Sequence, residues 1–219
     1  MIPRALWIVA IATALLQSSA NAQNQAANEK IEKERDAWQR ASEVVAALRL
    51  QPGSVVADLG AGMGYFTARL ADAVGARGKV YAVDVTDRSI NFLRQRFDKN
   101  PAVEVVKASA EEWKPPAPAD AALMTDAFHE FGDSAAVLRT LRSYLKEGGR
   151  LVIVDFMKPE IEIARAGQRK HHAMSQQIVA DDLAAAGFRV VDKLSPFIER
   201  TPKYSRLVSR DVFVFVAER

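Results

Sequence analysis

The chain has 219 residues, 49% hydrophobic and 26% charged, with a formal net charge of +3 and no cysteine. That is a globular composition, long enough for one ordinary domain with a proper core. It excludes disulfides and thiolate metal sites, and the scattered arginines, with no dense basic block, argue against a nucleic-acid partner.

In chain order, Arg4 precedes an apolar run from Ala5 to Leu16, and the small-residue end Ala20-Asn21-Ala22 follows. This is the layout of a secretory signal peptide, with cleavage expected after Ala22 and a periplasmic or secreted product. The run is shorter than the roughly 20 residues a membrane span needs, so no stable span is expected in the mature chain. An uncleaved anchor is the other reading. The expected organisation is a signal peptide over 1–22, a flexible mature terminus over 23–33 and one domain over 34–219.

From Lys30 to Leu50 the pattern is helical, with Trp38, Ala41, Val45 and Leu48 at spacings of three and four. Gln51-Pro52-Gly53 stops it. Val55 to Leu59 reads as a short strand, then three glycines follow at alternate positions: Gly60, Gly62 and Gly64. Phe66, Leu70 and Val74 mark one face of a helix that Gly75 and Gly78 end. Lys79 to Val85 is a strand carrying Asp84 at its end, and Ile90, Leu93 and Phe97 face one way on the next helix. Val103 to Val106 is a strand, "KPPAPAD" a loop, and Ala121 to Thr125 the fourth strand. Val137, Leu138, Leu141 and Leu145 lie on a helix that the Gly148-Gly149 turn ends. Leu151 to Val154 is the fifth strand, and Ser175 to Ala186 a helix closed by Gly187. Phe188 to Leu194 and Asp211 to Ala217 are the last strands, with no helix between them.

Strands alternating with helices imply an α/β fold, a largely parallel sheet covered on both faces. The last two strands, joined without a helix, pair antiparallel. Ligands of such sheets bind beyond the carboxyl ends of the strands, where strand order reverses. Glycines there let a ligand lie against the main chain. The spacing is G-x-G-x-G, with Tyr65 where a dinucleotide site has its third glycine. Asp58 before the turn suits a cationic amino-acid group, and Asp84 suits the two hydroxyls of a ribose.

The stretches "VVADLGAGMGYFTARLA", "VYAVDV" and "LKEGGRLVIVDF" together resemble class I S-adenosylmethionine-dependent methyltransferases, over roughly residues 34 to 217. "DAALMTDAFHEFGD" resembles the fourth strand and following loop of the small-molecule branch. The resemblance implies a Rossmann-like three-layer sandwich, a seven-stranded mostly parallel sheet with an antiparallel last strand. It implies S-adenosylmethionine as cofactor, with Gly60, Gly62 and Gly64 lining its methionine part and Asp58 near its ammonium. Asp84 would hold the ribose and Val85 lie beside the adenine. Ser109 and Ala110 fall where the family often has an acid facing the adenine amino group, and Glu111 is the shifted candidate for that acid. Thr125 and Asp126 would end the fourth strand next to the site of transfer. The helix over 34–50 resembles the family's pocket cap, in which Trp38 reads as core. Tyr65 and Phe128 border the site and either stack on a ligand or pack.

Methyl transfer is mainly alignment, and a base is needed only when the nucleophile carries a tightly held proton. His129, on the loop after the fourth strand, either takes such a proton or packs and caps the following turn. "HHAMS" resembles an H-x-M-S stretch of close relatives, with His172 as the matching histidine: a pocket residue or a solvated one. Spacing alone does not gather His129, His171, His172 and Glu130 into a metal site, and no metal is expected. The expected function is methyl transfer to a small-molecule acceptor. "TDAF" stands where enzymes acting on nucleic-acid bases or glutamine carry an "NPPY"-like segment. The alternative is an exported, non-catalytic ligand-binding or sensor module on the same fold. Glycine spacing disfavours a third reading, an NAD-dependent reductase.

Overall fold

The computed structural model describes residues 30–36, 38–109, 117–157, 164–198 and 211–219. The expected signal peptide and Ala110 and Glu111 lie outside them. The chain divides into two units, residues 1–40 and 41–219. In the first, residues 30–36 are helical, Trp38 is half-buried, and Arg35 Nε donates to Gln39 Oε1 at 2.6 Å.

The single helix expected to reach Leu50 is interrupted. Residues 38–40 are not helical, and Arg40 has a φ of 49°, a left-handed conformation that no α-helix continues through. A second helix, α1, runs Ala41–Ala47 and buries Ala41 and Val44, so Val44 rather than Val45 faces inward.

The second unit is a seven-stranded sheet. The strands are β1 Val55–Leu59, β2 Lys79–Asp84, β3 Val103–Lys107, β4 Ala119–Thr125, β5 Leu145–Met157, β6 Arg189–Ile198 and β7 Asp211–Glu218. Their spatial order is β3-β2-β1-β4-β5-β7-β6. β1 to β5 pair in parallel, and β7 runs antiparallel to both β5 and β6. Both the mostly parallel sheet and the reversed last strand are as expected. Leu145, expected on a helix, instead opens β5, which pairs with β4 through a register shift.

The helices are α2 Tyr65–Val74, α3 Asp87–Arg96, α4 Ser134–Tyr144, the single turn α5 Gln168–His171, and α6 Gln176–Ala185. Alternating strand positions feed the two faces. Ala57, Leu59, Tyr81, Val83, Met124 and Ile153 pack with Leu138 and Leu141 of α4 and Val179 and Leu183 of α6. Ala82 faces the other way, onto Leu93 and Phe97 near the end of α3. Each fully buried Leu, Val, Ile or Met side chain contributes about 1.5–3 kcal/mol, and two covered faces explain why β1, β4 and the Leu151–Val154 stretch of β5 are almost unbroken apolar runs.

Strand order reverses between β1 and β4, and the turn after β1 sits at that crevice. Gly64 ends the turn at a φ of 78° and begins α2. A Cβ there would lie 2.6 Å from Phe97 Cε2 and 2.9 Å from Leu93 Cδ2. Close packing of the turn onto α3 therefore requires glycine. Arg96 of α3 adds a bond from Nη1 to Met63 O at 2.8 Å. Gly64→Ala is expected to destabilise the protein by about 2 kcal/mol, combining overpacking with left-handed strain. Urea unfolding measures it, and an unchanged midpoint would show that the turn does not rest on α3.

Candidate active site

The crevice is closed by a contact between two loops. Gly60 has a φ of 75°, and a Cβ on it would meet Ala127 Cβ at 2.6 Å. The turn after β1 thus lies directly against the loop after β4. Gly60 N and Ala61 N both donate to Val83 O of β2, at 2.9 and 3.0 Å. Gly62 differs from its neighbours. Its φ is 55°, and nothing lies within 4 Å of where a Cβ would stand. Its main chain faces open space.

Asp84 ends β2 with its carboxylate fixed from two sides. Gly62 N donates to Oδ2 at 2.9 Å, and Thr86 N and Oγ1 donate to Oδ1 at 2.9 and 3.0 Å. Thr86 in turn caps α3 by accepting from Ser89 N. Val85, beside Asp84, is 51% exposed, one of the few large apolar side chains on the surface of the described residues. Asp58 is buried, and its Oδ2 accepts the Thr67 hydroxyl at 2.6 Å. Gly64 serves the α3 packing described above. Ser109 is exposed just past β3. Thr125 Oγ1, at the end of β4, is buried with no hydrogen-bond partner. Asp126 follows it at a φ of 53°, a left-handed conformation that is strained for a residue with a side chain. Tyr65 and Phe128 are both buried and pack.

The loop after β4 carries a polar cluster. His129 is 2% exposed, on a single 3-10 turn Phe128–Glu130. Its Nδ1 lies 2.9 Å from Asp155 Oδ1, and its backbone N donates to Asp155 Oδ2 at 3.1 Å. Asp155 stands on β5, 1% exposed, and also accepts from Phe156 N at 2.7 Å. A carboxylate only accepts, so Nδ1 carries the proton, and Nε2 is the ring's basic atom. That Nε2 faces Glu130 Oε1 at 3.1 Å and His172 Nδ1 at 3.4 Å.

His172 is brought there by a clamped segment. Arg165 donates through Nη2 to Asp182 Oδ1 at 2.5 Å and through Nη1 to both Asp182 Oδ2 and Ser134 Oγ at 2.9 Å. Ser134 also donates its hydroxyl to Asp182. Gln168 Nε2 donates to Phe131 O at 3.0 Å, and Met174 N to Phe156 O at 2.9 Å. Between these anchors His172 takes a φ of 44°, which ends α5 and turns its ring onto His129, edge to face at 5.4 Å. His171 is outside the cluster.

Sequence reasoning placed His129 and His172 near the site but missed Asp155, whose only signal is an acid directly after the apolar run of β5. It also missed Thr67 and Thr86, which hold Asp58 and Asp84.

The comparisons with known proteins bear on this arrangement. A family model described as a methyltransferase domain matches residues 50–197. The chain belongs to that methyltransferase domain family. Over 132 residues it is 34% identical to the ubiquinone/menaquinone biosynthesis C-methyltransferase UbiE of Shewanella frigidimarina, a match covering 58% of this chain and 52% of that protein. The chain thus spans about half the length of the curated relatives it matches. Its fold is similar to that of a SAM-dependent methyltransferase from Aquifex aeolicus, at 25% identity and a TM-score of 0.66, covering 86% of this chain and 95% of that one. It shares the fold alone with the N-methyltransferase NodS of Bradyrhizobium japonicum, at 14% identity and a TM-score of 0.64, covering 83% and 86%. Family and fold agree with the resemblance read from the sequence. One fold thus carries proteins named as C- and N-methyltransferases, so the acceptor has to be argued from the site.

Burial, the largest single effect, pulls the His129 imidazole down. The Asp155 hydrogen bond and the charges of Asp155, Asp126 and Glu130 outweigh it, so its pKa is raised above the ordinary histidine value. Folding therefore favours the protonated ring. That contribution is complete below the unfolded value of about 6.5 and is lost as pH rises through the higher folded value. Proton NMR titration of metal-free protein should show His129 titrating above the ordinary value and dropping in Asp155→Asn. An unmoved titration in the variant would contradict the assignment.

Proposed function

We propose that this protein transfers the methyl group of S-adenosylmethionine to a small-molecule acceptor. The observation that carries the reading is the Asp84 carboxylate, held between the Gly62 amide and Thr86 at the mouth of the sheet's switch point. A carboxylate fixed there, beside an open glycine main chain and the exposed Val85, suits a ribose with an apolar base next to it. The Thr125 hydroxyl, at the end of β4, is a buried polar atom without a partner. These residues fit an adenosine ligand without a pyrophosphate.

When bound, the cofactor supplies an activated methyl group on a sulfonium. The chain's part is to align the partners. The turn from Gly60 to Gly64 and Asp84 hold the cofactor. The loop from Asp126 to Glu130, pressed against Gly60 through Ala127, carries the polar groups that meet the acceptor. His129, fixed by Asp155, is the innermost of them. Export through residues 1–22 belongs to the same proposal and is supported by the sequence layout alone.

Calorimetric titration with S-adenosylmethionine and with S-adenosylhomocysteine tests the reading. Binding in the micromolar range, about −8 kcal/mol, is expected. Asp84→Asn keeps the shape but weakens acceptance from the ribose and from Gly62, so affinity should fall at least tenfold. A folded protein that binds neither ligand would overturn the proposal.

A further inference from the structure

Two histidines and a glutamate converge beside the cofactor crevice with more order than a solvated surface cluster needs. His129 Nε2, Glu130 Oε1 and His172 Nδ1 form a triangle with sides of 3.1, 3.2 and 3.4 Å. Four-coordinate zinc, with bonds of about 2.0–2.1 Å, sets neighbouring donors about 3.3–3.4 Å apart. The donors are therefore already close to the spacing a small divalent ion requires.

The surroundings point the same way. A metal-bound histidine characteristically donates its other ring N–H to a carboxylate, which fixes its tautomer and orientation. His129 does this to Asp155. Asp155 also accepts from two backbone N–H groups, so its oxygens are engaged as an outer support. A second grouping, Asp126, His129 and Asp155, would need the ring nitrogen that already bonds Asp155. The basic face of His129 is Nε2, and it points at Glu130 and His172. The remaining side is open, since the Glu130 and His172 side chains are 47% and 62% exposed.

We propose that His129, Glu130 and His172 form a site for a divalent transition-metal ion of the zinc class. Two imidazoles and one carboxylate favour such an ion over magnesium or calcium, which prefer all-oxygen sets. Three protein ligands leave a fourth position open, the pattern of sites that bind water or substrate. A hydroxyl- or thiol-bearing acceptor would occupy that position as its anion, its proton passing to solvent. This step, which names the acceptor class, rests on the methyl-transfer reading; the metal site itself does not.

The test uses the full chain, stripped of metal with a chelator and free of cofactor. It is titrated with Zn²⁺ in competition with a chromophoric chelator. One equivalent should bind. Affinity should fall at least 100-fold in His172→Asn, which removes the imidazole with a residue that tolerates the left-handed backbone. Asp155→Asn should weaken binding about 10- to 100-fold through its support of His129. His171→Ala should not change it. Co²⁺ in the same site should give the intense visible bands of a four-coordinate ion. Circular dichroism establishes that each variant is folded. No stoichiometric binding by folded wild type, or binding unaffected by His172→Asn, would overturn the proposal. Because no cofactor is present, such a failure leaves the cofactor reading standing, and loss of cofactor binding leaves the metal result standing.

Discussion

The arrangement depends on a missing side chain. Gly60 lets the turn after β1 press against Ala127 in the loop after β4, where any Cβ would collide at 2.6 Å. The contact lies where the order of the sheet reverses, so two loops that diverge in sequence meet over one crevice. From it follow the orientation of the Gly62 amide towards Asp84 and the position of Phe128 and His129 just beyond Ala127. The two loops of the proposed site thus share one wall.

Buried charge in this unit is consistently matched. Asp58 has the Thr67 hydroxyl, Asp84 has Gly62 and Thr86, Asp155 has His129 and two amides, and Asp182 has Arg165 and Ser134. A buried carboxylate without partners would cost several kcal/mol, so these pairs account for how acids persist at the ends of apolar strands. Two of them also position the histidines of the polar cluster. Asp155 sets the His129 ring, and Asp182 ties down the segment that delivers His172. The buried, partnerless Thr125 hydroxyl stands out against this background.

Much of the scaffold was legible because its signals are local. Glycine and proline punctuation bounded β1 and α2, and apolar periodicity found the covered faces. The glycine turn was legible for the same reason, since its glycines and Asp84 lie within one strand-helix-strand unit. The cluster was not. His129 meets Asp155 across 26 residues and His172 across 43, and no spacing rule spans such distances. The broken N-terminal helix was missed because Arg40 carries no sequence mark of its left-handed backbone. Leu145 kept its apolar period past the end of α4, although the chain had already turned into β5.

A crystal structure of the protein with S-adenosylhomocysteine tests the central claim most directly, that one crevice joins a cofactor half to an acceptor half. The account predicts the ribose hydroxyls on the Asp84 carboxylate, the adenine against Val85, and the sulfur turned towards the loop of Asp126 to Glu130. A ligand bound away from Asp84, or one whose sulfur faces away from His129, would contradict it.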